Sequence, residues 1–266
     1  MLAEAMQALP LVSCLMVTQT GRAEMFARSV QDFLDQTYPR KELVVVTSCP
    51  PETMLAHRAV LERLNRPEIR YVPLPPVSSG GQQLLGAMRN AANDAAQGDF
   101  CCTWDDDDRH HPHRLETHYR ILRDGQADGS YLNEQMHYFP AKQALYWISW
   151  GRRRAPGILM YRRSDIRYPT SGDRARRGED TSFISALCAS GQQIIPIPGC
   201  GQLYLRYFHG ANTWHEKHHQ HIVNTMSVNG SKLQERKSLI LDSLRLFGLT
   251  ERVDVRSKAG IIFSYP

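Results

Sequence analysis

The chain has 266 residues, 42% of them hydrophobic, and a formal net charge of +5. That length holds one large α/β domain, or an ordinary domain with an extension, around a core of real size. No apolar stretch approaches the ~20 residues of a membrane helix, and the opening MLAEAMQALP has no basic, apolar leader pattern. The charge is too modest to mark a nucleic-acid protein by itself, although its sign suits anionic partners. These features place the chain in the cytoplasm, with peripheral membrane contact allowed. The six cysteines, Cys14, Cys49, Cys101, Cys102, Cys188 and Cys200, form no CxxC pair and read as small hydrophobes rather than a disulfide framework.

In chain order, residues 11–17 (LVSCLMV) predict a short buried strand, and a polar loop, Thr18 to Arg22, follows. Met25, Phe26, Val30, Phe33 and Leu34 recur near helical spacing, so residues 23–36 predict an amphipathic helix that Pro39 ends. Leu43–Val46 is fully apolar and β-branched, as a strand covered on both faces requires. A helix over 53–64 and a strand over Ile69–Val72 complete a strand–helix–strand–helix–strand order, the mark of a wound parallel sheet. Gly80-Gly81 opens a helix over 82–96, Gly98 stops it, and residues 100–104 (FCCTW) predict the next strand.

The run Asp105-Asp106-Asp107-Asp108 begins where that strand ends, the place where open α/β sheets gather ligands. Beyond it the pattern is less regular. Residues 128–149 hold short aromatic-rich strand candidates, and Gly157–Tyr161 is another. Residues 170–178 form a polar, basic loop, and Asp180–Ala189 predicts a helix. From His215 onward the pattern is charged and mostly helical. The expected organisation is therefore an α/β domain over 1–215 with a helical extension over 216–266.

Four consecutive carboxylates repel one another, so they are stable together only near a cation or with raised pKa values. All-oxygen donors favour Mg²⁺ or Mn²⁺. A calcium loop starting at Asp105 is excluded, because His110 stands at the sixth position where the turn needs glycine. The histidines of His110-His111-Pro112-His113 and of His215–His221 lack cysteine partners and read mainly as surface residues.

Several motifs together resemble family 2 glycosyltransferases. They are Arg89-Asn90, then Gly98-Asp99-Phe100, then Trp104 with the four aspartates, then Pro112 and Leu115-Glu116. Gln36-Thr37-Tyr38-Pro39, Glu42–Val46, Arg177-Gly178-Glu179-Asp180, and the segment Tyr204, Arg206, His209-Gly210 and Asn212-Thr213 agree in order. The resemblance covers roughly residues 10–215. It implies a GT-A fold, a mostly parallel wound sheet flanked by helices. It also implies inverting transfer of a sugar from a nucleotide-sugar to a hydroxyl acceptor, with a divalent metal as cofactor.

The resemblance also implies roles. Asp107 and His209 hold the metal, while Asp105 and Asp106 meet ribose or metal-bound water. Thr18, Thr20, Arg22, Thr47 and Arg89 complete the nucleotide-sugar contacts, with Arg89 read equally well as a surface helix arginine. Asp180 is the general base, with Glu179 as its alternative. Thr47-Ser48 stands where many members carry an Asp pair that reads uracil, so the base need not be uracil. The Gln-x-x-Arg-Trp motif of processive synthases is absent, which favours single addition.

Two rival readings compete. A nucleotidyltransferase has a similar sheet but wants a Gly-rich, basic first loop, which Thr18-Gln19-Thr20-Gly21-Arg22 matches poorly. A non-catalytic nucleic-acid-binding protein would use Arg152-Arg153-Arg154 and Arg174–Arg177 on phosphate. The same clusters suit an anionic acceptor, such as a phosphorylated lipid-linked glycan, an acidic polysaccharide or nucleic acid.

Overall fold

The computed structural model describes residues 8–75, 83–151, 153, 156–175 and 177–266. Gly80-Gly81 and the arginines 152, 154 and 176 lie outside the described residues. Two sheets organise the chain. The first has the order β10-β6-β9-β4-β1-β2-β3. Its strands are β1 (Val12–Val17), β2 (Lys41–Thr47), β3 (Ile69–Pro73), β4 (Phe100–Thr103), β6 (Gly129–Leu132), β9 (Leu159–Arg162) and β10 (Ile194–Ile197). Pairing is parallel except around β9, which runs antiparallel to both β4 and β6.

Period-two alternation in β1, β2 and β4 feeds two cores. Cys14, Met16, Leu43, Val45 and Cys102 point to one face, where they pack on α1 (Ala23–Leu34) and α4 (Arg114–Gly125). Helix α1 supplies Phe26, Val30 and Phe33, the expected helical stripe, and α4 supplies Leu115 and Leu122. Leu15, Val44, Val46 and Cys101 point to the other face, against α3 (Leu85–Ala95) and α5 (Glu179–Ala189). Both faces are thus covered, which explains why the central strands are apolar without interruption. Helix α2 (Leu55–Leu64) lies between β2 and β3 in the chain.

The quoted motifs include several that do structural work. The Asp99 carboxylate accepts the Leu11 amide (2.9 Å), and the Gly98 amide donates to Ser13 Oγ (2.8 Å), so the Gly-acid turn aligns the start of β1 with β4. Gln36 donates to the His111 carbonyl (2.8 Å) and accepts the Leu115 amide (3.0 Å), fixing the end of α1 to the start of α4. Asn90 clamps the Tyr168 backbone at both N (2.8 Å) and O (3.0 Å).

The second sheet was only partly legible. Its order is β13-β12-β8-β7-β11-β5, with β5 (Arg109–His110), β7 (Glu134–Phe139), β8 (Ala144–Ser149), β11 (Tyr204–Tyr207), β12 (Val253–Ser257) and β13 (Gly260–Tyr265). The extension expected to be helical over 216–266 is helical through α6 (Glu216–Met226), α7 (Gly230–Glu235) and α8 (Lys237–Leu246). It then turns into the hairpin β12–β13, because Val253, Val255 and Phe263 alternate inward against β8 and α7 rather than at helical spacing. Ile222 and Val223 of α6 pack on Phe139 and Ile148, on the sheet's opposite side. Among the described residues no helix is long and apolar enough to cross a membrane. All six cysteines are free thiols.

Candidate active site

Strand β4 ends at Thr103, and the acidic run turns across the top of the first sheet. Its four side chains divide in two. Asp105 and Asp107 are partly exposed, whereas Asp106 and Asp108 are buried at 1% and 3%. Asp106 accepts from Thr18 Oγ1 (2.6 Å) and Arg22 Nη1 (2.9 Å). Asp108 accepts the Tyr207 amide (2.8 Å), and the Tyr204 hydroxyl reaches both Asp108 and Asp105 Oδ2, the latter at 3.1 Å. Asp107 Oδ2 sits 2.9 Å from Arg22 Nη1 and 3.0 Å from His209 Nε2.

Crowding and burial set the charges here. Burial and the neighbouring Asp107 push Asp106 up to about 7 and Asp108 up to about 8. Burial also presses on Asp107, but the His209 hydrogen bond and the Arg22 charge outweigh it and hold that carboxyl below its ordinary value. Among Asp106, Asp107 and Asp108, Asp107 is therefore the carboxylate held ionised.

The Glu179-Asp180 pair arrives from the other side. Gly178 takes a left-handed φ of +85°, a turn that glycine makes without strain, and starts α5 with both carboxylates. Arg89 of α3 joins the two acidic groups: it lies 3.4 Å from Asp105, 3.4 Å from Glu179 and 3.2 Å from Asp180. It is only 8% exposed, so the reading of Arg89 as a surface helix arginine is corrected. Burial raises Glu179 to about 7, with Asp180 adding to the effect, and burial raises Asp180 as well.

These groups front one cavity of about 560 Å³. Of the expected nucleotide-sugar residues, Thr18, Arg22, Arg89, Asp105 and Asp106 line it. Thr20 is exposed on the first loop, and Thr47 is buried at the end of β2, where its Oγ1 accepts the Cys49 amide (3.2 Å). The cavity also draws on residues beyond 215: His218, His219 and Ile222 of α6.

The histidine expectation is corrected in part. His110, His111 and His219 are buried, while His113, His215 and His221 are exposed. His110 stacks on Trp104 (3.9 Å between ring centroids), and its Nε2 meets the Asp105 carbonyl (3.1 Å). Arg114, fully buried between the rings of Trp104 and Tyr204, contacts His110 Nδ1 (2.5 Å) and donates to the Thr103 carbonyl (2.8 Å). The Arg114 contact makes Nδ1 the acceptor, so Nε2 carries the proton given to Asp105. Sequence reasoning missed Arg114, Trp150, Trp214 and His219. Arg114 directly precedes the Leu115-Glu116 motif, but nothing in its spacing announces burial.

Among the described residues no three His, Cys, Asp or Glu side chains gather as a complete metal cage. Asp107 Oδ2 and His209 Nε2 do face each other, within a cluster whose protons and Arg22 supply the balancing charge. One carboxylate with substrate phosphates is how Mg²⁺-type ions commonly bind, so the residues fit an ion shared with a diphosphate.

The comparisons with known proteins agree with this geometry. The sequence model described as Glycosyl transferase family 2 matches residues 13–183, which span β1, the acidic run and the Glu179-Asp180 pair. The chain belongs to glycosyl transferase family 2. S. aureus TarS 1–349 in complex with UDP is 16% identical with a TM-score of 0.57, covering 90% of this chain and 72% of that one. The mannosyltransferase PcManGT from Pyrobaculum calidifontis, in complex with GDP-Man and Mn²⁺, is 15% identical with a TM-score of 0.55, covering 92% and 72%. Another structure of TarS 1–349 is 18% identical with a TM-score of 0.55; the match covers 74% of this chain but only 60% of that one. These likenesses show the GT-A fold, as the motifs implied. No curated protein matches the sequence.

Proposed function

We propose that the protein is an inverting glycosyltransferase that moves one sugar from a nucleotide-sugar to a hydroxyl acceptor. One observation carries the reading: Arg89 touches Asp105, Glu179 and Asp180 within 3.4 Å, so the acidic run and the base pair face one cavity. Donor and acceptor chemistry need that adjacency.

Asp180 is the better base of the pair. Its side chain is 22% exposed against 4% for Glu179, and both line the cavity. Burial and Asp105 raise its pKa despite Arg89, which moves it toward the range where a carboxylate base works best. In the step, the Asp180 carboxylate takes the proton of the acceptor hydroxyl. The acceptor oxygen forms a bond to the anomeric carbon, while the bond from that carbon to the diphosphate oxygen breaks and its electron pair leaves with the phosphate. A single displacement inverts the carbon.

The donor would lie against Thr18, Arg22, Asp105 and Asp106. The nucleotides held by the similar structures, UDP and GDP-Man, define the first candidates. Asp107 and His209 would hold Mn²⁺ or Mg²⁺, which when bound supplies positive charge to the diphosphate. Arg153, Arg174 and Arg177 are exposed and offer contacts to any anionic part of the acceptor.

Calorimetry with UDP and GDP, with and without Mn²⁺, tests the donor side. Mn²⁺ should tighten one nucleotide, and Asp107→Ala should remove that gain. Asp180→Asn should keep nucleotide binding and lose roughly 10²–10⁴-fold in turnover. Equal affinities with and without Mn²⁺, or full turnover in Asp180→Asn, would refute the reading.

A further inference from the structure

The cavity has a wall that the acidic run and the Glu179-Asp180 pair do not form. It consists of Gln135 of β7, Trp150 beyond β8, Trp214, and His218 and His219 of α6. Trp214 and both histidines lie outside the segment that matches the family.

Charge is the first observation. The lining residues include six carboxylates, Asp105–Asp108 with Glu179 and Asp180, against three guanidiniums. Each guanidinium already faces carboxylate: Arg22 with Asp106 and Asp107, Arg89 with Asp105 and Asp180, and Arg206 with Asp108 at 3.7 Å. Among the described lining residues there is no lysine. An anion carried in to Asp180 finds no unmatched cation among these described lining residues, and a neutral hydroxyl needs none.

Unpaired polar atoms are the second. His219 is 4% exposed, and among the described residues neither ring nitrogen has a hydrogen-bond partner of good geometry, the Trp214 backbone only lying near it. Burial lowers its pKa to about 4, with Arg206 and His218 adding and the Trp214 backbone and the Asp107 charge only partly offsetting, so its imidazole is neutral, with one donor and one acceptor. Trp150 Nε1 is likewise buried and unpaired among the described residues. Each such orphan is a desolvated polar group without a bond, a cost that a ligand hydroxyl removes. Aromatic surface is the third: Trp214 stacks on His218 with ring centroids 4.4 Å apart, and Arg177 lies 5.6 Å from the Trp214 ring centre.

Neutral donors and acceptors beside aromatic rings suit a sugar ring, whose hydroxyls bond sideways while its C–H face lies on an aromatic surface. We propose that the wall of the cavity formed by Trp150, Trp214 and His219 is an acceptor subsite for a neutral sugar residue. Any charged part of the acceptor stays outside, against the exposed Arg174 and Arg177. This rests on the transferase reading above.

Saturation-transfer NMR on the full chain, with Mn²⁺ and UDP or GDP present, tests it. The probes are uncharged methyl and octyl glycosides, with glycerol phosphate and methyl glucuronide as charged counterparts. At least one neutral glycoside should receive saturation, and the charged probes should receive several-fold less. His219→Phe and Trp150→Phe should each cut the neutral signal several-fold while calorimetry shows unchanged nucleotide affinity, which also reports folding. The proposal is overturned by silence from every neutral glycoside, by preference for the charged probes, or by signals that both variants leave intact. If nucleotides fail to bind the native chain while glycosides bind through His219, the transferase reading falls and the subsite stands.

Discussion

Replacing Arg89 by methionine leaves a shorter, unbranched and uncharged side chain and removes a cation that touches Asp105, Glu179 and Asp180. The guanidinium is buried, so the loss strands carboxylates in a poorly solvated place. Removing one partner of a buried ion pair typically costs about 3–5 kcal/mol. Part of that cost is avoided here, because Glu179 and Asp180 escape by taking up protons: Arg89 is the main influence holding Asp180 down against burial. The variant should therefore lose about 2–4 kcal/mol in urea denaturation at pH 7.5 and lose less at pH 5.5, where the stranded carboxylates are protonated. The acidic limb of the turnover profile should move to higher pH, since the base now releases its proton later. Arg89→Lys should recover part of the stability. A loss below about 1 kcal/mol at pH 7.5, or an unmoved acidic limb, would show that Arg89 does not join the two acidic groups.

Two further outcomes follow from the buried charges. Asp106, Asp108 and Glu179 titrate near 7, 8 and 7 in the fold, against 3.8, 3.8 and 4.5 as ordinary values. Between those limits the native state holds protons that the unfolded chain has released, so metal-free stability falls as pH rises from about 4 to about 8. Melting followed from pH 5 to pH 8.5 should show a falling Tm, flattened by Asp108→Asn; a rising Tm without metal would contradict the charge assignment. Arg114→Leu leaves the Thr103 carbonyl and His110 Nδ1 without their donor, at about 1–3 kcal/mol for each. It should also weaken Mn²⁺-nucleotide binding by loosening the His110 contact to Asp105; a stable variant with intact binding would make the Arg114 network dispensable.

The first sheet was legible because its signals are local. An uninterrupted apolar run is explained by helices on both faces, and Phe26, Val30 and Phe33 mark a helix face by spacing alone. Asp107 and Asp180, quoted from two motifs far apart in the chain, line one cavity. The second sheet was less legible because β5 is two residues long, and what completes it, β11, is supplied from nearly a hundred residues downstream. The histidine run misled for a related reason. His110 is sealed by Trp104 and Tyr204, and no period in His-His-Pro-His reports contacts of that kind. Arg89 looked like any helix arginine because its burial is created by carboxylates from two other segments.

The hairpin β12–β13 has a consequence for the order in which the molecule assembles. Asp254 and Val255 pair in parallel with Ala144 and Leu145, roughly 110 residues earlier. Closing a loop of that size is entropically slow, and contacts of such long sequence separation are the late ones in folding. The first sheet, whose neighbours β1, β2 and β3 follow one another in the chain, can form while β8 still shows an unpaired edge. Until residue 254 has been made and has returned, that edge is open to the wrong strand, including one from another molecule.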